Sequence, residues 1–164
     1  MATRIEHRAT FAHDVADVYD AQTGERALRA RLEQIGGAHA ELRGHEVTEH
    51  GARYTLIQGI AADKLPSLVR NLHSGDLIVR REHVWTVLGD RRTGTITVGV
   101  SDVPGRITAD VELSSNAEGC VQTTRGEVAV RIPLIGGRIE SFVADQVTRL
   151  LELEAHFTTQ WLAH

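Results

Sequence analysis

The sequence predicts an α+β protein: a curled antiparallel sheet of seven strands wrapped around one long C-terminal helix, with two short helices after the first strand. Three observations predict it. Residues 3–11 and most of 39–132 alternate with period two. Short turn signals separate the alternating segments, so consecutive strands pair antiparallel. Residues 138–162 then change to steps of three and four, the longest such stretch in the chain.

The elements follow in order. In 3–11, Ile5, His7, Ala9 and Phe11 face one way, and Arg4, Glu6, Arg8 and Thr10 the other. Asp14 caps a short helix carrying Val15, Val18 and Tyr19, and Gly24 interrupts it. A second helix sets Leu28, Leu32 and Ile35 on one face and ends at Gly36-Gly37. Segments 39–49 and 52–62 form a hairpin around His50-Gly51, with both parities partly apolar. Residues 63–74, with Pro66, Leu68, Val69 and Leu72, read as one or two turns of helix. Segment 76–88 is a long strand, and 94–103 turns Ile96, Val98 and Val100 inward. Val103-Pro-Gly-Arg106 suits a type II turn, with Pro and Gly at its centre. Ile107, Ala109, Val111 and Leu113 then face inward in 106–114, and Val128, Val130 and Ile132 share a face in 121–132. In 138–162 the apolar stripe runs through Ile139, Phe142, Val143, Val147, Leu150, Leu151, Phe157 and Trp161, with Glu154 inside it. Arg138, Glu140, Asp145, Arg149 and Glu152 take the other face.

Composition narrows the function. A chain of 164 residues has the length of one domain, 1–164, that buries roughly 70% of its unfolded surface. With 41% hydrophobic and 24% charged residues it is not a disordered chain. A net charge of −4 argues against nucleic acid as partner, and 4% aromatics argue against base stacking. The single Cys120 excludes an intramolecular disulfide and a multi-cysteine zinc site. Charges interrupt residues 1–10, and no apolar run reaches the roughly 20 residues of a membrane span. The expectation is a cytoplasmic protein without membrane insertion, metal or cofactor.

Residues that break the apolar pattern carry the chemistry. Glu154 lies on the helix stripe, and a buried carboxylate must pair, accept hydrogen bonds or become protonated. It pairs with a sheet arginine or a backbone donor to fix the helix register, faces a cavity as acid, base or ligand anchor, or lies at a wet edge. Arg81 and His83 share a strand face with Val79, Trp85 and Val87. With that face inward, Arg81 becomes the partner of Glu154 and His83 the best general base. The opposite parity would instead turn Ile78, Val84 and Leu88 inward. Tyr54 and Gln58 share a face on the third strand and would orient a polar ligand atom. The inward residues are small, so the sheet and helix are expected to leave a hollow interior, a ligand pocket. Its candidate lining is Tyr54, Gln58, Arg81, His83, Trp85, Val98, Phe142, Val147, Leu150, Glu154 and Phe157.

The chain also resembles a known superfamily. The junction Pro133-Leu-Ile-Gly136-Gly-Arg-Ile-Glu140, the helix after it with Glu154 and Trp161-Leu162, Leu65-Pro66 and His83-Val84-Trp85 carry the resemblance. They look like the START-like, or Bet v 1-like and polyketide cyclase-like, helix-grip proteins, and within them like an uncharacterised bacterial branch. The resemblance implies a helix-grip fold over nearly the whole chain and a cavity for a hydrophobic small molecule such as a lipid, sterol or polyketide. It leaves two alternatives open: a cyclase or dehydratase using His83 and Glu154, and a protein-interaction module related to chaperone co-factors.

Overall fold

The computed structural model describes residues 2–71 and 74–164. The chain order is β1 (Thr3–Phe11), α1 (Val15–Thr23), α2 (Glu25–Ile35), β2 (Glu41–Thr48), β3 (Gly51–Ile60), α3 (Ser67–Arg70), β4 (Leu77–Leu88), β5 (Arg91–Val100), β6 (Gly105–Asn116), β7 (Gly119–Val130) and α4 (Gly136–Leu162). A 3-10 turn, Ala62–Lys64, precedes α3. The seven strands form one antiparallel sheet in the order β1-β7-β6-β5-β4-β3-β2. From β2 to β7 the sheet is a meander of hairpins. The first strand joins at the far edge beside β7, so α1 and α2 carry the chain from one edge to the other.

Local chemistry explains the element ends. Asp14 accepts the Asp17 amide at 2.9 Å and caps α1. In β2, an edge strand, the register shifts between Arg43 and Glu46, where Gly44 takes a φ of 59°. Gly94 lies across from Trp85, and a Cβ there would stand 3.1 Å from the indole. The missing side chain makes room for the ring.

Strand parity follows the alternation. Ile5 and Phe11 on β1, Ile107, Val111 and Leu113 on β6, and Val128 on β7 are buried. Of the two parities for β4, the observed one buries Arg81, His83 and Trp85 and leaves Val84 and Leu88 exposed. The apolar core has two main parts. One joins Phe11, Tyr54, Leu56, Trp85, Val111 and Leu113 to α1 and α2. The other joins Ile5, Val98, Ile107 and Val128 to Ala144 of α4. Ile96 packs against both.

Several expectations are corrected. The turn after β5 is centred on Ser101 and Asp102, with Asp102 at a φ of 62°, and Gly105 already begins β6. A short polar side chain tolerates that left-handed conformation, so Pro104-Gly105 is not the turn centre. Strand β7 ends at Val130, which puts Ile132 in the loop. The one or two turns of helix expected over 63–74 are a 3-10 turn, Ala62–Lys64, and α3, separated by Leu65-Pro66, and Leu72 lies outside the described residues. The buried face of α4 is broader than the expected stripe. Ile139, Glu154 and Phe157 are buried as expected, and Val143, Val147 and Leu151 pack on the core. Glu140, expected outside, is buried at 4% exposure and extends this face with Ala144 and Thr158, whereas Phe142 and Leu150 are only half-buried. A reading weighted by apolar bulk misses the small and polar edge of that face.

Leu113 is fully buried and Leu153 is 46% exposed. Leu113→Ala should lower unfolding stability by about 2–5 kcal/mol. Leu153→Ala should stay within about 0.5 kcal/mol. Urea denaturation of the two variants checks both values.

Candidate functional site

Three elements converge under the middle of α4. Strand β4 contributes Arg81, helix α2 contributes Arg31, and α4 contributes Glu154. The Arg81 guanidinium grips the carboxylate with both arms, Nη1 to Oε2 at 2.6 Å and Nη2 to Oε1 at 3.2 Å. Its Nη1 also donates to Gln58 Oε1 at 2.9 Å. The Arg31 Nε stands 3.7 Å from Glu154 Oε2. All three charged residues are less than 10% exposed. Burial pushes the Glu154 carboxyl up, but the charges of Arg31 and Arg81 and the Arg81 hydrogen bond outweigh it. They hold the carboxyl at about 2.

Around this triad lies a layer of aromatic and imidazole rings. Tyr54 and His83 are directly opposite on β3 and β4 and stack at 4.8 Å, 18° from parallel. The Trp85 indole N–H donates to the Tyr54 hydroxyl at 3.2 Å, which donates in turn to the Gln22 carbonyl at 3.2 Å. Tyr19 meets Trp85 edge-on at 5.7 Å. Burial, then the charges of Arg81 and Arg31, hold the His83 ring well below its usual 6.5, against the pull of Glu154. The ring is therefore neutral at physiological pH. Its Nε2 is buried without a hydrogen-bond partner among the described residues, and so is Arg31 Nη2.

A cavity of about 40 Å³ lies in this layer. Five of the expected lining residues reach it: Tyr54, Arg81, His83, Trp85 and Glu154. Gln58 is buried behind Arg81, outside the lining. Val98 and Val147 belong to the second apolar cluster. Phe157 stacks on Trp161 at 5.9 Å. Phe142 and Leu150 also lie away from the cavity. At 100° per residue, Phe142 stands about 120° around the helix from Glu154, whereas Leu151 and Ala155 flank the carboxylate side. Of the hollow interior expected from small inward residues, the structure leaves about 40 Å³ beside the two guanidiniums.

Sequence reasoning missed Arg31, Gln122 and Thr124 and did not single out His7, all of which line the cavity. Signals existed for them. Arg31 follows Leu28 by three and precedes Leu32 by one, on the apolar face of α2. His7 lies between Ile5 and Ala9, and Gln122 and Thr124 share parity with Val128.

A second carboxylate anchors the other end of α4. Glu140 accepts the Thr3 hydroxyl at 3.1 Å and the Val130 amide at 2.8 Å. Among the described residues no group of three or more His, Cys, Asp or Glu is placed to hold a metal. No helix among them is long and apolar enough to cross a membrane.

The seven-stranded antiparallel sheet and the long C-terminal helix make the Bet v 1-like helix-grip fold. Solved structures share this fold. A protein from Thermus thermophilus covers 98% of this chain and 97% of its own at a TM-score of 0.63 and 12% identity. Norcoclaurine synthase from Thalictrum flavum covers 100% and 88% at 0.56 and 10% identity. By sequence, an uncharacterized protein of Mycobacterium tuberculosis is 32% identical over 162 residues, covering 96% of this chain and 88% of its own. The chain belongs to the DUF2505 family, described as protein of unknown function, whose profile matches residues 6–162.

Two outcomes follow for the charged site. Glu154→Gln leaves two buried guanidiniums without a counter-charge and should cost about 3–5 kcal/mol in urea unfolding. Arg81→Met should cost less, because Arg31 still faces the carboxylate. The pH dependence separates the titrating groups. Both His83 and Glu154 are shifted downward, so the unfolded chain takes up their protons first. Stability should fall from pH 6.5 downward through His83, then again from 4.5 toward 2 through Glu154. His83→Phe keeps a ring on Tyr54 and should flatten the decline between pH 7 and 5, measured by urea denaturation at each pH.

Proposed function

We propose that this protein binds a small molecule with an apolar body between the sheet and α4, and that the Arg31–Glu154–Arg81 group sets the polar end of the pocket. One observation carries the reading: a space of about 40 Å³ left unfilled between sheet and helices, lined by the three buried charged residues Arg31, Arg81 and Glu154. A core built for stability alone gains by replacing a buried ion pair with packed apolar side chains. Here the charges are retained around a space instead. The pocket wall is mixed in the way ligand sites are, with Ala9, Ile96, Leu151 and Ala155 on its apolar side.

The fold supports the same reading by analogy. The norcoclaurine synthase structure holds dopamine and hydroxybenzaldehyde. The present cavity has room for only a few heavy atoms. A larger ligand enters by displacing the half-buried side chains of α4, Leu151 first.

The acid-base alternative has less support. His83 and Glu154 do line one cavity, but Glu154 is ionised and engaged by two arginines, so it holds no proton to give near neutrality. The interaction-module alternative rests on exposed apolar surface. The exposed large residues Val47, Val84, Leu88, Leu134 and Leu153 are spread over two strands, a loop and a helix.

Native mass spectrometry of the purified protein, followed by solvent extraction, tests the reading. The expected result is a bound apolar molecule, or binding from a panel of lipids, sterols and aromatic polyketides. Leu151→Trp should fill the space and weaken that binding at least tenfold. Purified protein that is empty and takes up nothing from the panel overturns the proposal.

A further inference from the structure

The site is one negative charge short. Arg31 and Arg81 bring two positive charges, Glu154 is the only acid in the cavity lining among the described residues, and the His83 ring is neutral. Both Glu154 oxygens are engaged by Arg81. Arg31 approaches that carboxylate with Nε, and its Nη2 is left buried without a partner. The His83 Nε2 is in the same state. The two residues border one cavity of about 40 Å³, although neither atom opens onto it. A buried guanidinium arm and a buried ring nitrogen without partners are costly, and an acceptor that both side chains turn toward would remove both costs.

Size and charge identify the acceptor. A water needs roughly 10–15 Å³ of such space, so the cavity holds about three heavy atoms. A carboxylate group has three heavy atoms and one negative charge. A phosphate is larger, and at roughly −1.5 to −2 it overshoots the single missing charge. The space as it stands admits the carboxylate group alone, and carbon atoms attached to it would lie against Ala9, Ile96 and Ala155 once Leu151 is displaced.

We propose that the ligand is a carboxylate, bound through Arg31 Nη2, with the Nε2–H tautomer of His83 as second donor. This rests on the ligand-binding reading above and adds the chemistry of the ligand's polar end. The carboxylate comes either from a free short-chain acid or from the head of a fatty-acid-like chain.

Calorimetric titration of the full chain at pH 7 with acetate, butyrate, octanoate and 1-octanol distinguishes these. The expected result is octanoate binding at least tenfold tighter than octanol. Arg31→Gln should collapse that ratio to within about twofold, and Arg31→Lys should retain part of it. If Arg31→Gln does not fold by circular dichroism, the acid-to-alcohol ratio of the unaltered protein decides alone. Acetate binding as tightly as octanoate supports a free short-chain acid. Octanol binding as well as octanoate overturns the carboxylate while leaving the apolar-ligand reading intact. No binding by any of the four overturns the carboxylate. The lipid, sterol and polyketide panel then decides the broader reading separately.

Discussion

The bidentate bond between Arg81 and Glu154 is the constraint on which the rest of the interior depends. It joins residues 73 apart in sequence and closes the long helix onto the fourth strand. Arg31 brings α2 to the same carboxylate. Taking three charges out of water is expensive, and their attraction repays it only in one geometry. A slip of α4 by one residue would swing Glu154 about 100° around the axis and strand both guanidiniums. The ion group therefore acts on register more than on stability. Apolar contact alone holds a helix on a sheet without fixing which residue stands where.

The second buried carboxylate turns that local constraint into a global one. Glu140 lies fourteen residues before Glu154, almost four turns and about 21 Å along the same face. It holds the Thr3 hydroxyl on the first strand and the Val130 amide at the end of the last. The helix is thus fixed at two points by hydrogen bonds, in addition to the packing of Ile139, Val143, Val147, Leu151 and Phe157 along it. The charged layer between the two points also accounts for the division of the apolar core into two parts.

Most of the architecture was legible in the sequence, because strands wet on one face write their orientation in alternation. Ile107, Ala109, Val111 and Leu113 alternate with polar residues, and the sheet places them as that pattern requires. The sheet end of the site was legible for a related reason. Arg81 and His83 stand on the same parity as Trp85, and a charge among apolar neighbours needs a partner. The helix was harder. Its inner line mixes Glu140, Ala144 and Thr158, whereas Phe142 and Leu150 carry more apolar bulk nearer the outside. Period fixes that a helix exists and how long it is, but bulk is a poor guide to the breadth of its buried face when polar groups share the anchoring. Arg31 escaped notice because one arginine on a short amphipathic helix reads as solvated until its partner is known. The volume of the interior was not legible at all. Small aliphatic side chains and few aromatics suggest a hollow, yet the space left is about 40 Å³, beside two buried guanidiniums and the packed rings of Tyr54 and Trp85.

The same electrostatics constrain how such a pocket would behave. Glu154 stays ionised down to about 2, the arginines stay charged, and His83 stays neutral well below its ordinary range. The triad and His83 therefore keep one charge state across the physiological range. This fixed field comes from mutual constraint: the arginines depress both the carboxyl and the imidazole, and the carboxylate holds one guanidinium in place. In the proposed pocket, the uncompensated positive charge would discriminate by the ligand's charge, whereas the apolar wall would discriminate only by size. The buried triad would supply the selectivity that the aliphatic lining lacks, and the cost of keeping three charges out of water would be the physical counterpart of that selectivity.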